Sequence, residues 1–337
     1  MFSAERNGTS VTISDIAREL GVSKSTVSRV INCKGRIGES TRRRVQDCVR
    51  NHDYRPNTIA RSLAQKRTYN IAVVIPRDAN RGDVPFFQNC LVGISEVIYS
   101  RGFDAILAVD EGDETGALRR LVSNRKVDGV VLLRLTENDA AVEFLEQEKI
   151  PFVAMGTSDD AGIVQVDNDQ VSGCMEMTDF MIKRGCFHMA LLGGDGTLPV
   201  NGRRYEGFKQ ACEKNNISLN ESHCWWNLDS ESDINRALPE IMRENPQCLV
   251  CADDVVCSRV LKWLSANGYE VPADIQVISF YDSPVLESHD PPVTALCVSA
   301  FEMSRCAGNL VLDLIEGKKV SRRHSVGYEI KIRDSFR

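Results

Sequence analysis

Five polar residues, Lys24, Ser25, Ser28, Arg29 and Asn32, fall at the spacing that gathers side chains on one face of a helix. Together they present hydrogen-bond donors with little bulk. That is the chemistry needed to read base edges in a DNA major groove. Elsewhere the reactive groups are thinner. Asp253, Asp254 and Asp282 could mimic a carboxylate pair, yet no nucleophile or metal-ligand spacing accompanies them. GGDGT at 193–197 is neither a P-loop nor GxGxxG, and no GxSxG elbow occurs. Cys248 and Cys251 form a CxxC with Cys257 nearby, but no second CxxC or HxxxH supplies the remaining ligands of a metal site. No catalytic residue, metal or cofactor is expected, and the chain reads as a binding protein rather than an enzyme.

The donor face needs a rigid mount, and the flanking residues provide one. Thr12 and Asp15 make a capping-box start, with Asp in the place of the usual Glu. Ile13, Ile16, Ala17 and Leu20 then recur at i, i+3, i+4, i+7, one apolar helix face. Gly21 ends this helix with a tight turn, and Ser23 can cap a second helix whose inner face is Val27, Val30 and Ile31. Two short helices joined by a glycine turn predict a helix-turn-helix. A third helix is predicted over 40–51, with Val45, Cys48 and Val49 inward. Arg42, Arg43 and Arg44 crowd its start, where the helix dipole disfavours cations unless phosphates lie nearby. Pro56 and Asn57 can open a further short helix over 58–65, marginal on its own because isolated helices below about 12–15 residues are unstable in water.

Charge divides the chain in the same place. The net charge of −6 conceals a basic head and an acidic remainder. A positive head suits a polyanion, which the acidic body would repel. From Tyr69 the apolar runs NIAVVIP, FDAILAVD, VDGVVLLRL, PFVAMG, HMALLGG, QCLVCADD and IQVISFYD alternate with amphipathic stretches. Such alternation predicts βαβ units and parallel sheets. The body is too long for one core, so two doubly wound lobes are predicted, with a boundary near 167–171 and a ligand in the cleft at the carboxyl ends of the strands. The predicted organisation is an all-α helix-turn-helix domain over 1–55, a hinge helix over 56–68 and a two-lobed α/β domain over 69–337. Twelve cysteines without a secretory signal imply free thiols in a reducing compartment, and no apolar stretch approaches membrane length. A cytoplasmic protein without membrane contact is expected.

The segments VTISDIARELGVSKSTVSRVIN and RPNTIARSLAQ resemble the DNA-binding head and hinge of the LacI/GalR family of repressors. The resemblance continues through DVPFFQNCLVGISEVIYSRGF, VDND, RRYEGF, ADD, GYEVPADIQVISFYD and PPVTAL, and so covers nearly the whole chain. It implies a homodimer on double-stranded operator DNA, with a body of periplasmic-binding-protein type and a small-molecule effector between its lobes. In the family's terms Lys24, Ser25 and Arg29 would contact bases, and Ser23, Thr26 and Ser28 the backbone or groove wall. Thr12, Asn32, Thr41, Asn57 and Ala60 would complete the DNA-facing set, and Leu63 would wedge into the minor groove.

The same resemblance implies Phe86, Phe87, Asp167, Arg204, Asp253 and the Tyr281–Asp282 strand end as effector contacts. Physical chemistry adds Trp226, beside Trp225, as stacking surface. An arginine fork and carboxylates can grip sugar hydroxyls, and an aromatic ring can cover a sugar's apolar face. One departure matters: many relatives carry two acidic residues at that strand end, whereas here the first is Tyr281. RLTENDAAVEFLEQEKIPFV is similar to the maltose-repressor branch, which points to an α-glucoside. A phosphocarrier protein or a non-sugar effector is the alternative regulator.

Overall fold

The computed structural model describes residues 11–31, 35–52, 54, 65, 67–77, 84–110, 115–136, 139–158, 162–219 and 223–337. Contacts divide the chain into two compact units, Met1–Thr68 and Tyr69–Arg337.

The first unit holds α1 (Ile13–Leu20), α2 (Lys24–Ile31) and α3 (Glu39–Asn51). The capping box forms: the Asp15 amide donates to Thr12 Oγ1 at 3.3 Å, and the Thr12 amide donates to Asp15 Oδ2 at 3.0 Å. Two amides that a helix start leaves without partners are thereby satisfied. Gly21 stops α1 in the left-handed region, at φ 65°, where a Cβ would be strained. Ile16, Val27 and Val45, one from each helix, are fully buried against one another in a small core that also takes in Cys48.

The second unit begins with alternating strands and helices: β1 (Asn70–Pro76), α4 (Val84–Ser100), β2 (Asp104–Asp110), α5 (Gly116–Ser123), β3 (Gly129–Leu132), α6 (Ala140–Gln147), β4 (Phe152–Met155) and β5 (Gln165–Asp167). Next come α7 (Gln170–Lys183), β6 (Met189–Leu192), α8 (Pro199–Lys214), β7 (Cys224–Trp225), α9 (Glu231–Arg243), β8 (Cys248–Cys251), α10 (Asp254–Ala266), β9 (Gln276–Ser279), α11 (Pro284–Glu287) and β10 (Thr294–Val298). The unit closes with α12 (Ala300–Ile315), β11 (Arg323–Ser325) and β12 (Tyr328–Lys331). Two six-stranded sheets result, in the orders β11-β5-β4-β3-β1-β2 and β12-β10-β9-β8-β6-β7. The paired strands run parallel except β12, which is antiparallel to β10. Their central strands are continuous apolar runs because helices cover both faces.

The crossing near residue 167 is present, but it is one of three. After β10 the chain returns to the first lobe, where α12 packs along α4 and places Ala300, Met303, Ala307 and Val311 in that lobe's core. β11 then extends the first sheet beside β5, and β12 re-enters the second. A Cβ on Gly93 would stand 2.7 Å from the Phe301 carbonyl, so the α4–α12 contact requires glycine there. Three strands of chain between the lobes make their relative movement a hinge motion rather than a free separation. No helix among the described residues is long and apolar enough to cross a membrane.

Candidate functional site

In the head, α2 buries Val27 and Val30 and leaves Ser23, Lys24, Ser25 and Arg29 exposed, with Thr26 and Ser28 half-buried. Ser23 caps the helix: the Thr26 amide donates to its Oγ at 3.1 Å. The hydroxyls of Ser25 and Thr26 lie 2.7 and 2.8 Å from the same oxygen, so three hydroxyls cluster at the positive end of the helix. Thr12 is exposed and Thr41 half-buried. Asn32, Asn57, Ala60 and Leu63 lie outside the described residues.

Two arginines of the cluster at the start of α3 have partners within the head. Arg44 donates to the Leu20 carbonyl at 3.0 Å, covering the carboxyl end of α1, and Arg43 pairs with Glu39 at 3.3 Å. Both arginines remain exposed beside these partners.

In the body, a cavity of about 470 Å³ opens between the lobes. The carboxyl ends of both sheets line it, as doubly wound folds dictate. Phe86, Phe87 and Asp167 come from the first lobe; Arg204, Asp253, Tyr281 and Asp282 come from the second. Phe87 lines the cavity yet is 4% exposed and belongs to the first-lobe core. Asp167 accepts from the Thr157 hydroxyl and, at 2.8 Å, from the Asn168 amide. Asp253 caps α10 through the Val256 amide at 2.8 Å, while its other oxygen lies 4.0 Å from Arg204. Asp254 is the first residue of that helix.

Two expected contacts differ from the sequence reading. Trp226 does not line the cavity. It follows the edge strand β7, and its ring lies over Gly193 and Gly196 and edge-on to Tyr205. Asp282 reaches the cavity wall, but both oxygens accept from the Arg333 guanidinium, at 2.8 and 2.7 Å. That bidentate bond, above all, raises Arg333 above its ordinary value. Cys248, Cys251 and Cys257 are fully buried, and burial pushes the thiols of Cys248 and Cys257 well up.

The structure adds residues that sequence inspection passed over. Asn168 Nδ2, Gln170 Oε1, Arg204 Nε and Ser283 Oγ are buried without a hydrogen-bond partner, and all four residues line the cavity. Burying such atoms unpaired is costly, so their gathering at one cavity marks a surface built for a polar molecule. Asn201 accepts from Arg204 at 3.1 Å and orients it. The i, i+3 spacing of that pair in α8 was the available signal, and Asn168 stood beside Asp167 in VDND.

Comparison with known proteins agrees with this arrangement. The family model described as bacterial regulatory proteins, lacI family, matches residues 12–57, and that of a periplasmic binding protein-like domain matches 178–336. The HTH-type transcriptional regulator MalR of Streptococcus pneumoniae is 29% identical over 322 residues, covering 93% of this chain and 95% of that protein. A solved complex of the transcriptional regulator CelR with cellobiose is 26% identical, covers 96% of this chain and 99% of that one, and superposes with a TM-score of 0.74. The Lac repressor dimer bound to operator and an anti-inducer shares the fold at 21% identity, with coverage of 96% and 98% and a TM-score of 0.80.

Proposed function

We propose that this chain, which belongs to the lacI family of bacterial regulatory proteins, represses genes of sugar metabolism by binding operator DNA under the control of a sugar held between its lobes. The observation that carries the sugar reading is the set of four unpartnered buried polar atoms around one cavity, with the rings of Phe86 and Tyr281 at its wall. Hydroxyls of a sugar can satisfy such atoms while a ring covers its apolar face. A bound cellobiose in the related CelR supports the same class of ligand.

The mechanism follows from where the parts lie in the chain. Two copies place two α2 helices on a palindromic site; Lys24, Ser25 and Arg29 read bases, and Lys/Arg contacts to phosphate add salt-dependent affinity. The segment 56–68 acts as the hinge between head and body. Sugar binding changes the angle between the lobes and so changes what the hinges of the two copies can form. A coupling of about 1–3 kcal/mol alters operator occupancy about 5- to 150-fold. The polar groups of the cavity bind and orient the sugar, with no bond made or broken.

The test is a thermal-shift panel of mono- and disaccharides, maltose and cellobiose included, together with sugar phosphates and nucleobases. A ligand at 100 times its Kd adds about 2.7 kcal/mol of stability. A disaccharide that raises the Tm and changes affinity for the operator supports the reading. If no sugar shifts the Tm while DNA binding persists, the sugar assignment falls, and a phosphocarrier protein or a non-sugar effector takes its place.

A further inference from the structure

We infer that the DNA-binding head carries a Zn²⁺ site formed by Glu19 of α1 with Cys48 and His52 of α3. One ligand atom from each of the three residues lies within 4.8 Å of the other two. His52 Nε2 already stands 2.8 Å from Glu19 Oε2. Cys48 and His52 are four residues apart at the end of α3, so one helix face presents thiol and imidazole together. Carboxylate, imidazole and thiolate are the three ligand types Zn²⁺ takes, and three protein ligands leave its fourth position to water. The soft sulfur and the imidazole nitrogen select zinc over the hard cations Mg²⁺ and Ca²⁺.

Sulfur sits on the protein side of this trio and the other two ligands face solvent. Cys48 is 5% exposed, whereas the side chains of His52 and Glu19 are 37% and 55% exposed. An ion can therefore enter from water and be anchored from within. Metal entry removes one proton: the Cys48 S–H bond breaks, a Zn–S bond forms, and the proton passes to solvent. The site was invisible to linear spacing because its ligands are split between two helices. What brings α1 to α3 is the core of Ile16, Val27 and Val45. The consequence is a tie between the first and third helices of a unit whose core is small. Neither the sugar reading nor the DNA-reading face depends on it.

The test uses Co²⁺ as an optical stand-in for Zn²⁺ on the full chain, with dialysis to count metal. The expected result is one Co²⁺ per chain, with a thiolate charge-transfer band and the visible bands of tetrahedral Co²⁺, displaced by Zn²⁺. Cys48→Ser and His52→Gln remove the bands, and Cys306→Ser, at a thiol of α12, leaves them. His52 lies at the surface, so His52→Gln remains informative if Cys48→Ser unfolds the head. A wild-type spectrum without a thiolate band, or a band that survives His52→Gln, overturns the site.

Discussion

Phe86 of the first lobe and Tyr281 of the second meet edge to face across the cleft, with ring centroids 6.0 Å apart and planes at 74°. Phe86 in turn meets Phe87 at 5.3 Å, so the chain of rings runs from the Tyr281 strand end into the first-lobe core. Such a pair contributes about 0.5–1.5 kcal/mol beyond its buried area. A double-mutant cycle of Phe86→Ala and Tyr281→Ala in urea unfolding should return a coupling of that size. Strict additivity of the two losses means that the rings are neighbours without energetic contact.

Asp282 holds Arg333 inside the second lobe, where the two side chains are 6% and 12% exposed. Removing one partner of a buried ion pair costs about 3–5 kcal/mol. Asp282→Ala should therefore lower stability by about that amount even without effector. A change confined to effector affinity, with unaltered unfolding, would instead make this carboxylate a ligand contact.

Arg204 has the opposite signature. It is 7% exposed, with Nε unpartnered and the Asp253 carboxylate only at 4.0 Å. Arg204→Met keeps the bulk and removes an incompletely satisfied charge. Stability of the free protein should stay within about 1–2 kcal/mol of the parent, while the thermal shift produced by the active sugar disappears. A preserved shift excludes Arg204 from the sugar contacts.

Asp179 of α7 ties that helix to α8. Its carboxyl is lowered to about 2, first by the hydrogen bond from Lys183 and then by the one from Asn215. A carboxylate with a folded pKa below its unfolded value of 3.8 adds stability that is present above about pH 4 and is lost as pH falls toward 2. Asp179→Asn should lower stability at pH 7 and flatten the decline over that interval. Equal acid profiles for both proteins, measured by urea unfolding, reject this linkage.

Arg29 and Arg43 should separate by their surroundings. Arg29 is exposed on the donor face of α2, and Arg43 is paired with Glu39. In fluorescence titrations, Arg29→Ala should weaken operator binding by about 1–3 kcal/mol and relax sequence preference at one base pair. Arg43→Ala should change both by less. Equal losses in operator and random DNA for Arg29→Ala would make it a phosphate contact.

Much of this protein was legible in the linear sequence because the signals are local. Capping at Thr12, the turn at Gly21 and the period of Ile16, Ala17 and Leu20 belong to contiguous residues, and they determined the helix-turn-helix. Unbroken apolar runs such as GVVL and CLVC determined parallel strands covered on both faces. Motif placement also brought Phe86, Asp167, Arg204, Asp253 and Tyr281 to one cavity wall. What tertiary structure alone decided is how side chains divide between packing, pairing and the cavity. Trp226 and Asp282 have the right types for a sugar, yet one ring is used over Gly193 and one carboxylate on Arg333, 51 residues away. The return of α12 and β11 to the first lobe and the meeting of Glu19 with Cys48 and His52 are of the same kind. Each depends on pairings between distant segments, which hydrophobic periodicity cannot encode because it reports only the face a residue turns inward, not what meets it there.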